Sequence, residues 1–213
     1  MENEGAAGGT GGTGGASGAG GMGHSMGQMM AGMGTSRLPL GMAFNLLKLT
    51  VVAGERAATA LPATLSQVSA IKIEGAIRRN IALSMENMRF LIDGRSFQMN
   101  EIAFEVKRGA VEIWHISNPV LGMPHPMHLH GFLFQVQARL HSPAQVAATA
   151  RFGQGRCVSD LGWKDTVLVW PGETVQIAID FAHNFPGSQT YLFHCHNLEH
   201  EDAGMMINFR VQA

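Results

Sequence analysis

The run His194-Cys195-His196-Asn197-Leu198-Glu199-His200-Glu201-Asp202-Ala203-Gly204-Met205-Met206 puts three histidines, one cysteine and two methionines into thirteen positions. Upstream stands a second dense run, His125-Pro126-Met127-His128-Leu129-His130-Gly131. Side chains alternate between faces along a strand. Read as strands, the runs give His128 and His130 one common face, with Cα atoms about 6.5–7 Å apart. His194 and His196 also share a face, and Cys195 points the opposite way. Parity thus sorts the donors into two sets. His128, His130, His194 and His196 lie on one side of a sheet. Cys195 and, after a break at Pro126, His125 face elsewhere, and the loop beyond Cys195 returns His200 and Met205 to that end.

Thiolate, imidazole and thioether together are the donor mixture that copper prefers. His125, Cys195 and His200 with a weak axial Met205 form the His₂Cys-plus-Met set of a blue, type 1 copper site, which accepts single electrons. Zinc fits less well, because a lone cysteine bracketed by histidines matches no structural zinc spacing.

Outward from these runs, short apolar segments alternate with Gly, Pro, Asn and Asp. Strands are expected at 44–52, 76–88, 111–118, 127–140, 165–170, 174–181, 190–194 and 205–211, with a tight turn at Pro171-Gly172. Residues 56–68 read as a helix or an irregular connection. Many short strands with little helical periodicity predict an all-β fold, a Greek-key β-sandwich.

Residues 1–36 are low-complexity Gly, Ala, Ser, Thr and Met, a composition that cannot offset its ordering entropy by burial. A disordered tail or linker is expected there, with a folded domain over 37–213. Met22, Met26, Met29, Met30 and Met33 surround His24 in the tail. Two readings stand: a linker with incidental methionines, or a loose Cu(I)-capture segment.

The formal net charge is −1 and no Lys/Arg cluster occurs, which argues against nucleic acid and anionic membrane as partners. No apolar run reaches the roughly 18–20 residues of a membrane span. The beginning, Met1-Glu2-Asn3-Glu4, has neither the basic nor the apolar region of a secretory signal. With Cys195 reserved for metal, Cys157 is read as an unpaired thiol, or as the partner of a cysteine outside this sequence.

His125-Pro-Met-His-Leu-His-Gly131 and His194-Cys-His-x-x-x-His-x-x-x-Gly-Met205 resemble the third and fourth copper motifs of the multicopper oxidases, the family of laccases, bilirubin oxidase and bacterial cuprous oxidases. Gly162-Trp-Lys-Asp-Thr-Val167 and Ile92-Asp-Gly-Arg-Ser-Phe-Gln-Met-Asn100 resemble the last domain of the bacterial members. The resemblance covers about residues 37–213. It implies a cupredoxin (plastocyanin-like) domain, the last of three. It assigns His125, Cys195, His200 and Met205 to type 1 copper, His128 to type 2 copper, and His130, His194 and His196 to the type 3 pair. It further implies that electrons from a one-electron reductant, a phenolic compound or Cu(I), enter near His200. They pass through Cys195 and its neighbours His194 and His196 to a trinuclear cluster that reduces dioxygen to water.

A trinuclear cluster of this family uses eight histidines, and the two runs supply four. The remaining His24, His115, His141 and His183 are isolated. His115 reads as a satisfied strand residue, and His141 and His183 as solvated loop residues. The chain is therefore expected to be part of a longer oxidase, periplasmic or secreted, inactive without missing N-terminal cupredoxin domains. The alternative is a stand-alone type 1 blue-copper electron carrier, which has no use for His128, His130, His194 and His196. Glu199, Glu201 and Asp202 read either as solvated loop charges or as an attraction for cationic donors. Asp165 reads as a hydrogen-bond partner for a ligand histidine or as a solvated strand end. Met206 is expected in the core.

Overall fold

A computed structural model describes residues 45–52, 54, 60 and 62–213. The expected tail at 1–36 lies outside them. The chain divides into residues 1–48 and 49–213. Of the first unit, residues 45–48 are described; they are exposed and have no regular secondary structure.

Ten strands build the second unit: β1 (Ile77–Glu86), β2 (Arg89–Ile92), β3 (Ile102–Val106), β4 (Val111–Ser117), β5 (His125–Leu129), β6 (Phe134–Leu140), β7 (Thr166–Val169), β8 (Thr174–Asp180), β9 (Gln189–Cys195) and β10 (Met206–Val211). They form two five-stranded sheets, ordered β2-β1-β4-β8-β6 and β3-β10-β9-β5-β7. The pairs β1/β4 and β3/β10 are parallel, so two crossings tie early strands to later ones. Inward positions of both sheets interdigitate, as in a sandwich. Trp114 on β4 is fully buried, with Phe104, Phe193 and Phe209 edge-on to it at 5.3–5.6 Å. Its indole N–H donates to Glu112, whose carboxylate is bound by Arg79 at 2.8 and 2.9 Å. The all-β sandwich expected from the strand pattern is therefore present.

Three expectations change. The segment expected as one strand over 127–140 is two, β5 and β6, in different sheets. The break falls at Gly131, whose φ of +77° is a conformation open to glycine at little cost. A Cβ there would stand 2.3 Å from the Tyr191 ring, so the chain passes close against that ring as it changes sheets. The expected strand at 44–52 is absent from the described part, where residues 45–52 are exposed and irregular, while β2 and β3 appear where none was foreseen. The described part of 56–68 is irregular, the second of the two readings given for that segment. The turn at Pro171-Gly172 is present, closed by Glu173 N–H donating to the Trp170 carbonyl at 3.0 Å.

A buried ionic knot sits beside the second sheet. Arg139 on β6 grips both oxygens of Asp160 at 2.8 Å, Glu173 at 3.0 Å and the Leu168 carbonyl of β7 at 3.1 Å. Glu173 also accepts from Ser142 and from the Trp170 N–H. Burial alone would lower the Arg139 guanidinium, but the two carboxylates outweigh it and raise its pKa. Cys157 has no disulfide partner within this chain, which both readings of it allow, and its thiol donates to Asp160 at 3.0 Å.

Candidate metal centre

Strands β5 and β9 pair antiparallel with Met127 opposite Cys195, His128 opposite His194 and Leu129 opposite Phe193. Parity therefore acts across both strands at once. Met127, Leu129, Phe193 and Cys195 turn into the core, and His128 and His194 turn the other way. His125 shares the inward parity of Met127. The expected break at Pro126 does not exist: β5 runs through it, and Pro126 even accepts from His196 N–H through its carbonyl at 2.7 Å.

The first donor group comprises His125, Cys195 and His200, all buried. His125 opens β5, Cys195 closes β9, and His200 lies in the short helix Leu198–Asp202. Asn197 caps that helix, its side-chain oxygen accepting from Glu199 N–H at 3.3 Å. The loop then folds back. Met205 N–H donates to the His200 carbonyl at 2.9 Å, and Cys195 N–H donates to the Met205 carbonyl at 3.0 Å. Met205 is fully buried beside Cys195. The two Nδ1 atoms are 3.1 Å apart and lie 3.6 Å (His125) and 3.5 Å (His200) from the Cys195 sulfur.

Burial, then the neighbouring His200, lowers His125 to about 4, and burial also lowers His200. Burial pushes the Cys195 thiol up to about 11. Two neutral imidazoles and one sulfur thus converge in an apolar pocket, a donor set that fits a soft metal ion and matches the His₂Cys arrangement of copper. A bound cation would also stabilise the thiolate that burial disfavours.

The second group comprises His128, His130 and His194. The Nε2 atoms of His130 and His194 lie 3.0 Å apart. The His128 ring is 4.9 Å from that of His130 and 5.5 Å from that of His196. His128 Nδ1 donates to the Asp165 carbonyl at 3.0 Å, with the Thr166 hydroxyl at 2.9 Å, and His194 Nδ1 donates to the Cys195 carbonyl at 3.0 Å. Each bond fixes the tautomer that leaves Nε2 free as a metal donor. The group opens on a hollow of about 350 Å³ lined by His128, His130, Gly131, Leu133 and Asp165.

Asp165 thus helps orient a histidine, but through its backbone carbonyl and not its carboxylate. Thr166 and Asn197 were missed; only Asn197, a cap residue ahead of the loop, left a legible signal. Glu199 and Asp202 are exposed, as both readings of them require. Glu201 turns instead toward the second group, 3.5 Å from His194 Nδ1 and 3.8 Å from His196 Nδ1. His200 is 1% exposed, so no ring edge stands out in solvent for an incoming reductant. Met206 lies on the face of β10 turned from the core and is half-buried, contrary to expectation. His115 sits on β4 and accepts from Arg78, and His141 is exposed, both as expected. His183 is half-buried, and its Nε2 has no partner among the described residues.

Two sheets, a buried Cys/His group and a histidine cluster joined to it through one strand define a copper-binding β-sandwich domain. The family model described as multicopper oxidase matches residues 69–213, and the chain belongs to that family. It is 43% identical over 108 residues to a laccase of Bacillus subtilis, covering 47% of this chain and 20% of that one. It is 35% identical over 132 residues to a bilirubin oxidase of Albifimbria verrucaria, covering 57% and 21%. The crystal structure of the McoA multicopper oxidase from Aquifex aeolicus superposes with a TM-score of 0.63 at 41% identity, over 72% of this chain and 33% of that one. The sandwich is accordingly cupredoxin-like. The chain spans about a fifth to a quarter of the length of the curated relatives it matches.

Proposed function

We propose that residues 37–213 are the electron-accepting last domain of a laccase-like multicopper oxidase. One observation carries this reading: His194, Cys195 and His196 are consecutive, yet Cys195 belongs to one donor group and His194 to the other, with the His196 ring 5.3 Å from that of His194. A covalent path a few bonds long then joins the groups, which a simple electron carrier has no reason to build.

In this reading His125, Cys195 and His200, together with the buried Met205, would hold type 1 copper. His128 holds type 2 copper, and His130, His194 and His196 contribute to the type 3 pair. Copper supplies, when bound, one-electron chemistry at the first group and dioxygen reduction to water at the second. The chain's own residues do the arranging. Burial keeps His125 neutral and ready to ligate, the Asp165 carbonyl and Thr166 aim His128, and the Cys195 carbonyl aims His194. Phe90, packed on His200, keeps water from one face of the first group.

Four of the eight histidines of a trinuclear cluster are then owed by other cupredoxin domains, consistent with the share of its relatives that this chain spans. The partners are dioxygen and a one-electron donor, a phenol or Cu(I), and the setting is periplasmic or secreted. Among the described residues no helix is long and apolar enough to cross a membrane. Copper stoichiometry, visible and EPR spectra and oxygen uptake, all on one copper-loaded sample, test the reading. About one blue copper per chain without oxygen uptake is expected for this chain alone. Several coppers per chain with steady oxygen consumption would remove the need for other domains, and a colourless copper-loaded protein would remove the type 1 site.

A further inference from the structure

We propose that Phe90 is a positioning residue that holds the His200 imidazole in its ligating orientation, an inference that rests on the type 1 reading of His125, Cys195 and His200. The Phe90 ring lies face to face on His200, with centroids 3.9 Å apart and planes 27° apart. No other ring pair among the described residues comes closer than 4.8 Å. The same ring presents an edge to His125 at 6.4 Å and 72°.

The soft coordinate of a histidine is the last torsion, which is broad and roughly two-fold. Turning the His200 ring about it would carry Nδ1 away from the Cys195 sulfur and put a carbon in its place. His128 and His194 are fixed by hydrogen bonds from their second ring nitrogen to backbone carbonyls. His200 has its Nδ1 turned to His125 and Cys195, and Phe90 lies on its ring face. At 3.9 Å a stacked ring leaves no room for its neighbour to stand on edge, so Phe90 blocks the rotation sterically.

The scaffold places Phe90 firmly. It sits opposite Met85 in the β1/β2 pair, and the connecting turn is held by Asn87 and Met88 at φ of 49° and 65°. Two such residues in sequence give the tight two-residue hairpin whose twist matches its strands. An edge strand of the first sheet thereby braces a ligand carried by a loop of the second. The aromatic face, and not merely apolar volume, is what the orientation needs.

The test uses the 213-residue chain with Phe90→Leu, which keeps apolar bulk, and Phe90→Tyr, which restores the ring. In the metal-free protein, NMR of the His200 ring protons should show an upfield ring-current displacement that Phe90→Leu abolishes and Phe90→Tyr recovers. In the copper-loaded protein, Phe90→Leu should release copper to a chelator about two- to tenfold faster, the range expected for one lost aromatic stack. Its type 1 EPR hyperfine splitting should also change, and Phe90→Tyr should reverse both effects. A folded Phe90→Leu protein with wild-type copper release and EPR would overturn the inference, as would a folded Phe90→Tyr protein that resembles Phe90→Leu. Absence of a blue band in the wild type would refute the type 1 assignment instead, while the metal-free NMR comparison would still decide whether Phe90 orients His200.

Discussion

Replacing Arg139 by leucine removes the cation from a knot in which Asp160 and Glu173 are 3% and 0% exposed. Breaking a buried ion pair by deleting one partner costs about 3–5 kcal/mol, because the remaining charge is left uncompensated. Both carboxylates keep other donors: the Cys157 N–H and thiol on Asp160, and the Ser142 hydroxyl and Trp170 N–H on Glu173. The expected loss therefore sits near the lower end, about 3 kcal/mol. With a urea m-value of about 2 kcal/mol/M, the unfolding midpoint should fall by about 1.5 M at pH 7. The pH dependence supplies a second check. In the wild type, burial would raise the Asp160 carboxyl, but the Arg139 and Cys157 hydrogen bonds hold it below 3.8. Its contribution to stability is thus complete above that value and is lost as pH falls through the depressed one. Without Arg139 the largest influence holding the Asp160 carboxyl down is gone, so the variant should lose less stability than the wild type as pH falls through that depressed value. A midpoint within about 0.3 M of wild type would show that the knot is energetically idle, whatever its geometry.

Cys195→Ser should remove the thiolate and with it the intense blue absorption; a variant that folds, binds copper and stays blue contradicts the type 1 assignment. Met205→Leu should retain copper and raise its reduction potential, because the axial ligand tunes it; voltammetry giving an unchanged potential would show that Met205 is not axial. Gly131→Ala should destabilise the domain by about 2–4 kcal/mol, from a residue at φ +77° and a Cβ driven into the Tyr191 ring. A thermal midpoint equal to wild type would mean that Tyr191 moves aside freely.

How much of this was legible in the sequence depended on whether the information was local. Parity along His128-Leu129-His130 and His194-Cys195-His196 is a property of neighbouring residues, so the division into two donor groups could be read directly. The split of 127–140 could not be seen from apolar content, because Phe132, Leu133 and Phe134 continue the run across Gly131. The tight hairpin that creates β2 rests on Asn87-Met88, where methionine occupies a left-handed position that composition would assign to glycine. Arg139, Asp160 and Glu173 are 21 and 34 residues apart from arginine to acid, and nothing local marks any of them as buried. Phe90 meets His200 only because the two sheets close on each other. The Asp165 contact was invisible for another reason: it is made by a carbonyl that every residue possesses.

Strand β9 is shared property. It is clamped between β10 and β5, with Phe193 opposite both Ile207 and Leu129. A slip of one residue would carry Cys195 out of its pocket and turn histidines inward, so a single insertion or deletion there abolishes both donor groups together. The segment from Asn197 to Gly204 is less tightly bound to both groups, since it delivers His200 to the first and meets the second through the Glu201 carboxylate. Variation that retunes the sulfur site while sparing the histidine cluster should therefore accumulate at positions of that segment other than Glu201, and engineers wishing to alter one centre alone have their entry point there.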